Sequence, residues 1–229
     1  MDVVGKTLKS WKNSLPINFD GAALYSKSPI AHKWKAPLRC LVLRETILWR
    51  MYDLMNQSYV LHSQNHALGA RILLRSAIET LAILIYLNQL INKVLNQNLD
   101  FHEFSDKTSV LLLGSKNQST KHTSINIMTV LKECDKIYPE ILNLYADFSE
   151  SAHPNFEGLC LGYSTLNIET SIATFSNNWR QLHSGGHLET MLIFMRVFES
   201  EYNQVFIENI RSLEKWIEQN DLILEANKN

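Results

Sequence analysis

Cysteine is scarce in this 229-residue chain: Cys40, Cys134 and Cys160 are odd in number and widely spaced, which argues against a disulfide framework or a zinc ligand set. Reduced thiols in a cytoplasmic protein are the expected state. An excess of charge is also missing. Lys and Arg number 22 against 23 Asp and Glu, a formal net charge of −1, which argues against a constitutively basic nucleic-acid binder but leaves room for a local basic site. No apolar run approaches the roughly 20 residues needed to span a bilayer. The longest, LAILIYL at 81–87, is bounded by Glu79 and by Asn88 and Gln89, so no membrane partner is expected. The N-terminal MDVVGKTLKSWKNSLP lacks the unbroken apolar region of a secretory signal. Gly5, Lys6 and Thr7 lack the upstream glycine and preceding strand of a phosphate loop. Internal repeats and low-complexity tracts are absent as well.

Helical periodicity is what the chain does have. Residues 1–35 are polar, contain Pro16, Gly21 and Pro29, show no sustained period and read as an N-terminal arm. From Pro37 a helix runs through PLRCLVLRETILWRMYDLMNQSYVL, and after a short HSQNH turn a second runs from His66 to Gln97, predicting antiparallel neighbours. FHEFSDKTSVLLLG forms one short helix, Ser124 caps another through Lys136, and Pro139 opens one that stops at His153 and Pro154. Small and β-branched residues around 158–176 predict a hairpin or flap. A last long helix follows Gly185 and Gly186 to about residue 219. The expected fold is all-α: an antiparallel bundle of four main helices with shorter ones and the flap. It forms one domain over 36–220, with a tail at 221–229.

Two polar ladders cross the most apolar helices. Arg71, Arg75 and Glu79 recur every fourth residue, as do Tyr145, Ser149 and His153, so each set lines one helix face. Charged side chains are almost never fully buried unless paired. Arg75 and Glu79 can pair within their helix, which leaves one arginine needing a further acceptor. Two readings stand. In one the ladders are a buried strut, with Arg71 reaching backbone carbonyls or Asp53. In the other Arg71 and Arg75 bind phosphate, Glu79 holds an arginine in place, and His153 supplies acid/base chemistry with Ser149 or Tyr145 orienting it. Ser149 has no GxSxG elbow and so is not read as a nucleophile. His183 and His187 with Glu189, and His62 with His66, have metal-like spacing, but glycines or a turn separate each pair; no metal and no cofactor are expected.

The helix order, the Arg71-x3-Arg75-x3-Glu79 helix and the Tyr145-x3-Ser149-x3-His153-Pro154 helix end together resemble uncharacterised bacterial proteins related to the HEPN superfamily, over roughly residues 37–215. Many members of that superfamily are metal-independent ribonucleases of toxin, abortive-infection or antiviral defence systems; others are inactive scaffolds. The resemblance implies RNA or a nucleotide as substrate, a homodimer and a partner protein encoded nearby. The family motif places four to six residues between an arginine and a following histidine, and Arg180 and His187, with six between them, match it as an alternative catalytic pair. The histidine would draw the proton from an RNA 2′-hydroxyl while the arginine stabilises the phosphorane. Against this stands a non-catalytic interaction or dimerisation module whose ladders are internal struts.

Overall fold

The computed structural model describes residues 2–183 and 185–228. Among them, eleven helices, two π-helical segments and one two-stranded hairpin make up the regular structure, an all-α fold with a small flap. Residues 1–35, expected to lack a sustained period, instead carry α1 (Val3–Ser14), α2 (Gly21–Lys27) and α3 (Pro29–His32). Local capping explains the difference. Asp2 Oδ1 accepts from Gly5 N at 2.9 Å, Asp20 Oδ1 from Ala22 N and Ala23 N at 3.0 Å, and Ser28 Oγ from Ala31 N at 3.3 Å, with Pro29 in the first turn. α1 also buries Val4, Leu8 and Trp11, one face at helical spacing. Gly5, Lys6 and Thr7 lie inside this helix.

α4 (Lys35–Ser63) and α5 (Ala67–Leu95) are the two long helices read from the sequence. The turn between them places Asn65 at φ 63°, and His66 N closes it onto Leu61 O at 2.8 Å. Ser58 Oγ donates to Ala70 O at 2.8 Å, and further from the turn Arg50 Nε donates to Thr80 Oγ1 at 3.1 Å. Contacts that recede evenly from a turn on both strands of helix are those of antiparallel neighbours. α6 (Phe101–Leu113) is capped by Asp100. α7 (Ile127–Asp135) starts two residues later than expected, because Asn126 Oδ1, not Ser124, accepts from Met128 N at 2.9 Å. α8 (Ile141–Ala152) stops where His153 turns extended at φ −98°, ψ 145°, ahead of Pro154.

A π-helical segment (Phe156–Leu161) leads into the antiparallel hairpin β1 (Ser164–Asn167) and β2 (Ile172–Phe175), inside the expected flap. Then follow α9 (Trp179–His183), α10 (His187–Ser200), a second π-helical segment (Glu201–Val205) and α11 (Phe206–Ala226). The last helix therefore extends into the expected tail. No described helix is long and apolar enough to cross a membrane.

The chain divides into two compact units: one of Met1–Ser14, Arg50–Thr80 and Asp135–Arg196, the other of Leu15–Trp49, Leu81–Cys134 and Val197–Asn229. Every ladder residue belongs to the first. The second contains the π-helical segment Glu201–Val205, whose first backbone carbonyls take side-chain donors from α4 and α5. Asn88 Nδ2 donates to Glu201 O at 3.2 Å and to Glu201 Oε2 at 2.7 Å, while Arg44 Nε and Nη2 donate to Tyr202 O at 3.3 and 3.2 Å. Arg44 also lies 3.5 Å from the centroid of the Tyr202 ring, and the Tyr202 hydroxyl donates to Glu45 Oε2 at 2.6 Å. Glu201 and Asn88 are both buried. Asn88→Ala should therefore lower stability by about 2 kcal/mol, since it strips a donor shared by the buried Glu201 carboxylate and the Glu201 carbonyl. The denaturant midpoint should fall with an unchanged m-value.

Candidate functional site

The two ladders meet. Arg75 Nε donates to Ser149 Oγ at 2.8 Å, its Nη2 donates to the Tyr145 hydroxyl, and its Nη1 pairs with Glu79 Oε1 at 3.2 Å. Tyr145 in turn donates to Glu79 Oε1 at 2.8 Å, and Ser149 Oγ donates back to Tyr145 O at 2.7 Å. Each nitrogen of the Arg75 guanidinium thus has a protein acceptor. Burial, reinforced by the bond to Glu79, pushes the Tyr145 phenol above its ordinary range, so it stays a donor at neutral pH.

Arg71, the arginine that needed a further acceptor, finds it on the other flank of α8. Its Nε donates to Ser151 Oγ at 2.7 Å and its Nη2 to Asp147 Oδ2 at 2.9 Å and Asp147 O at 3.3 Å. The guanidinium lies 4.4 Å from the centroid of the Phe148 ring. Asp147 and Ser151 escaped the sequence reading although they too are four residues apart, because their ladder is short and Asp147 is exposed. Asp53, the acceptor considered from the sequence, instead takes Gln57 Nε2 at 2.8 Å. The network continues outward: Ser151 Oγ donates to Glu157 Oε1 at 3.3 Å, and His183 Nε2 lies 3.6 Å from that oxygen, beyond hydrogen-bond reach.

His153 does not join its ladder. Its side chain is exposed at the helix end and makes no hydrogen bond to Arg75, Ser149 or Tyr145 among the described residues. The physical reason is the proline that follows: an extended backbone at His153 takes the side chain off the helical face that Tyr145 and Ser149 share.

A second constellation is built by α4, α9 and α10. The imidazoles of His62 and His187 stack, 4.6 Å between centroids and 14° from parallel. Ser58 Oγ gives its proton to Ala70 O and sits 3.1 Å from His187 Nε2, so Nε2 is the donor and the lone pair of His187 lies on Nδ1. Burial first, then the neighbouring His62 and Arg71 charges, lower the His187 pKa to about 4. Burial also holds His62 below its ordinary value, against the opposing pull of Glu189. Both rings are therefore neutral bases at physiological pH. His62 opens onto a small pocket of about 130 Å³ that it lines with Asn65, Ala67 and Arg180. Arg180 is exposed and pairs with no acid among the described residues.

Metal-like spacing leads nowhere among the described residues, which contain no group of three or more metal-ligating side chains. Gly186, at φ +80°, breaks the chain direction between α9 and α10, so His183 and His187 stand on separate helices and share no face. His183 stacks on Trp179, 5.2 Å between centroids, and burial with the Arg71 charge lowers its pKa. His66 is exposed, one turn away from the His62 stack. His62 was visible in the sequence only as half of that unproductive pair. No protein-family model, curated protein or solved structure matches this chain.

Two predictions follow from this geometry. Arg75→Ala should destabilise the protein by about 2 kcal/mol in chemical denaturation, and Arg75→Lys should recover little of it, because an ammonium cannot reproduce the planar fork that reaches Tyr145, Ser149 and Glu79 together. The imidazole of His187 titrates near 6.5 when unfolded and at about 4 when folded, so between those values the unfolded chain binds a proton that the folded one refuses. Stability is complete above pH 6.5 and falls by about 3 kcal/mol as the pH drops towards 4. His187→Gln should flatten that part of the profile.

Proposed function

We propose that this chain is a HEPN-like protein acting on RNA or a nucleotide through the pocket lined by Arg180 and His62, with His187 stacked on His62, and not through the ladders. One observation carries the reading: an arginine with no acidic partner among the described residues lines the same small pocket as a neutral histidine, which is itself stacked on the histidine of the Arg180-x6-His187 motif. A cavity of about 130 Å³ accepts a phosphate group and leaves the base outside. Arg180 supplies charge to the phosphate and to the phosphorane that develops from it. His62, the more open of the two rings, takes the proton of the 2′-hydroxyl as the 2′-oxygen attacks phosphorus and the bond to the 5′-oxygen breaks; the proton then passes to the leaving oxygen. His187 orients His62 by stacking and is held by Ser58. A place in a bacterial defence or toxin system, with a partner protein encoded nearby, comes from the same resemblance.

The second reading, a non-catalytic interaction module, is favoured by the ladders themselves. Arg75 spends every guanidinium nitrogen on protein groups, and Arg71 is held by Ser151 and Asp147, as a strut requires.

The test is RNA cleavage with chelator present, comparing the native chain with Arg180→Ala, His62→Ala and His153→Ala. Arg180→Ala and His62→Ala should each lower the rate by about two to three orders of magnitude, while His153→Ala stays near native. Arg180 is exposed and His62 half-buried, and an unchanged circular dichroism spectrum verifies that both variants are folded. Absence of cleavage together with absence of salt-dependent RNA binding by the native chain would leave the interaction module as the answer.

A further inference from the structure

Two strands alone are marginal in water, and this hairpin has little cover: every residue of β2 is exposed, and in β1 only Ser164 is half-buried. Its order depends on the base of the flap, where the chain enters through the π-helical segment Phe156–Leu161 and leaves into α9. On the leaving side the base is fastened. Asn178 Nδ2 donates to Leu161 O at 3.0 Å and to Ser164 O at 3.3 Å, and Asn178 N donates to Gly162 O at 2.9 Å. Trp179, buried, lies so close to Gly162 that a Cβ there would come within 2.6 Å of its Nε1.

On the entering side the base is open. Glu157, in the π-helical segment, faces His183 at the end of α9, yet Glu157 Oε1 and His183 Nε2 stand 3.6 Å apart. That nitrogen is buried and has no hydrogen-bond partner among the described residues, an unfavourable state for a polar atom. Both groups are already oriented towards each other by their neighbours. The stack on Trp179, 26° from parallel, sets the plane of the imidazole, and Ser151 Oγ, which accepts from Arg71 Nε at 2.7 Å, donates to the same Glu157 Oε1 at 3.3 Å.

We propose that His183 and Glu157 form a proton-operated clasp: when the imidazole takes up a proton, its Nε2 donates to Glu157 Oε1 and fastens the entering side of the flap to α9. A charge-assisted bond of about 2.8 Å needs the two atoms to approach by only about 0.8 Å. Three charges face the imidazole. Burial and Arg71 on α5 oppose its protonation, while Glu157 on the π-helical segment and Asp147 on α8 favour it; the first two prevail, so the proton arrives below the ordinary histidine value and the clasp is open at neutral pH. Neither member of the clasp lines the pocket at Arg180 and His62, so the inference stands apart from the phosphate-binding reading and survives its failure.

Amide hydrogen exchange of the full chain, followed peptide by peptide from about pH 7.5 down to about pH 4.5 and corrected for the intrinsic pH dependence of exchange, tests it. Protection of peptides within the hairpin should rise about threefold to fivefold as the pH falls, the effect of one partly screened ion pair. General acid destabilisation would move protection the other way, and α11, in the other unit, should show no rise. Glu157→Gln keeps an oxygen for Ser151 but no charge, and His183→Phe keeps a ring on Trp179 but no titratable nitrogen. Each should abolish the rise, with an unchanged circular dichroism spectrum verifying that the variant is folded. Hairpin protection that stays level or falls in the native chain, a rise that persists in either variant, or an equal rise in α11 would each overturn the proposal.

Discussion

Two guanidiniums on one apolar helix impose the constraint from which the first unit takes its form. α5 surrounds Arg71 and Arg75 with Leu74, Ala77, Ile78 and Leu81, all fully buried, so neither charge can be left to water alone. Desolvating an unpaired ion costs more than a single helix contact returns, and the packing must therefore bring acceptors to them. α8 supplies those acceptors on both flanks: Tyr145 and Ser149 for Arg75, Asp147 and Ser151 for Arg71. The geometry is specific because a guanidinium is planar and its donors point in fixed directions. Sliding α8 by one residue would exchange hydroxyls for the rings and methyls beside them.

The network is a structural device that ends close to the stacked His62 and His187. Satisfied groups have little left to offer a ligand, and the ladders are satisfied. Arg71 nevertheless contributes beyond its bonds, since its charge helps to hold both His183 and His187 neutral. Among the described residues Arg180 has no acid beside it, and it stands exposed on a short helix where its charge costs little to solvate. The charges that hold the fold are thus distinct from the exposed charge of Arg180.

Much of the fold was readable because its signals are local. The long helices α4 and α5, the turn between them, the stop of α8 before Pro154 and the flap near 158–176 all follow from periodicity, proline geometry and β-branched composition. The N-terminal helices were missed although their caps, Asp2, Asp20 and Ser28, stand in the sequence; short helices need those caps and a packing face, and only the caps are local. Ser124 was a reasonable cap that lost to Asn126 two residues on. The site was half legible. Spacing identified both ladders, but it grouped His153 with Tyr145 and Ser149 on the assumption that the helix face continues, and Pro154 ends that face one residue too early.

By itself the sequence determined that α5 carries two arginines and a glutamate on one face of an apolar helix, that a tyrosine and a serine recur at matching spacing on α8, and that the chain is all-α. These are properties of neighbours along one helix, fixed by 3.6 residues per turn. Only the tertiary structure decided which acceptors each arginine meets, and that His62 stacks on His187, 125 positions away in the numbering. Burial and stacking depend on which helices come together, and no local period encodes that choice. The same dependence leaves Arg180 open at the pocket it shares with His62 while Arg71 and Arg75 are consumed in holding the helices together.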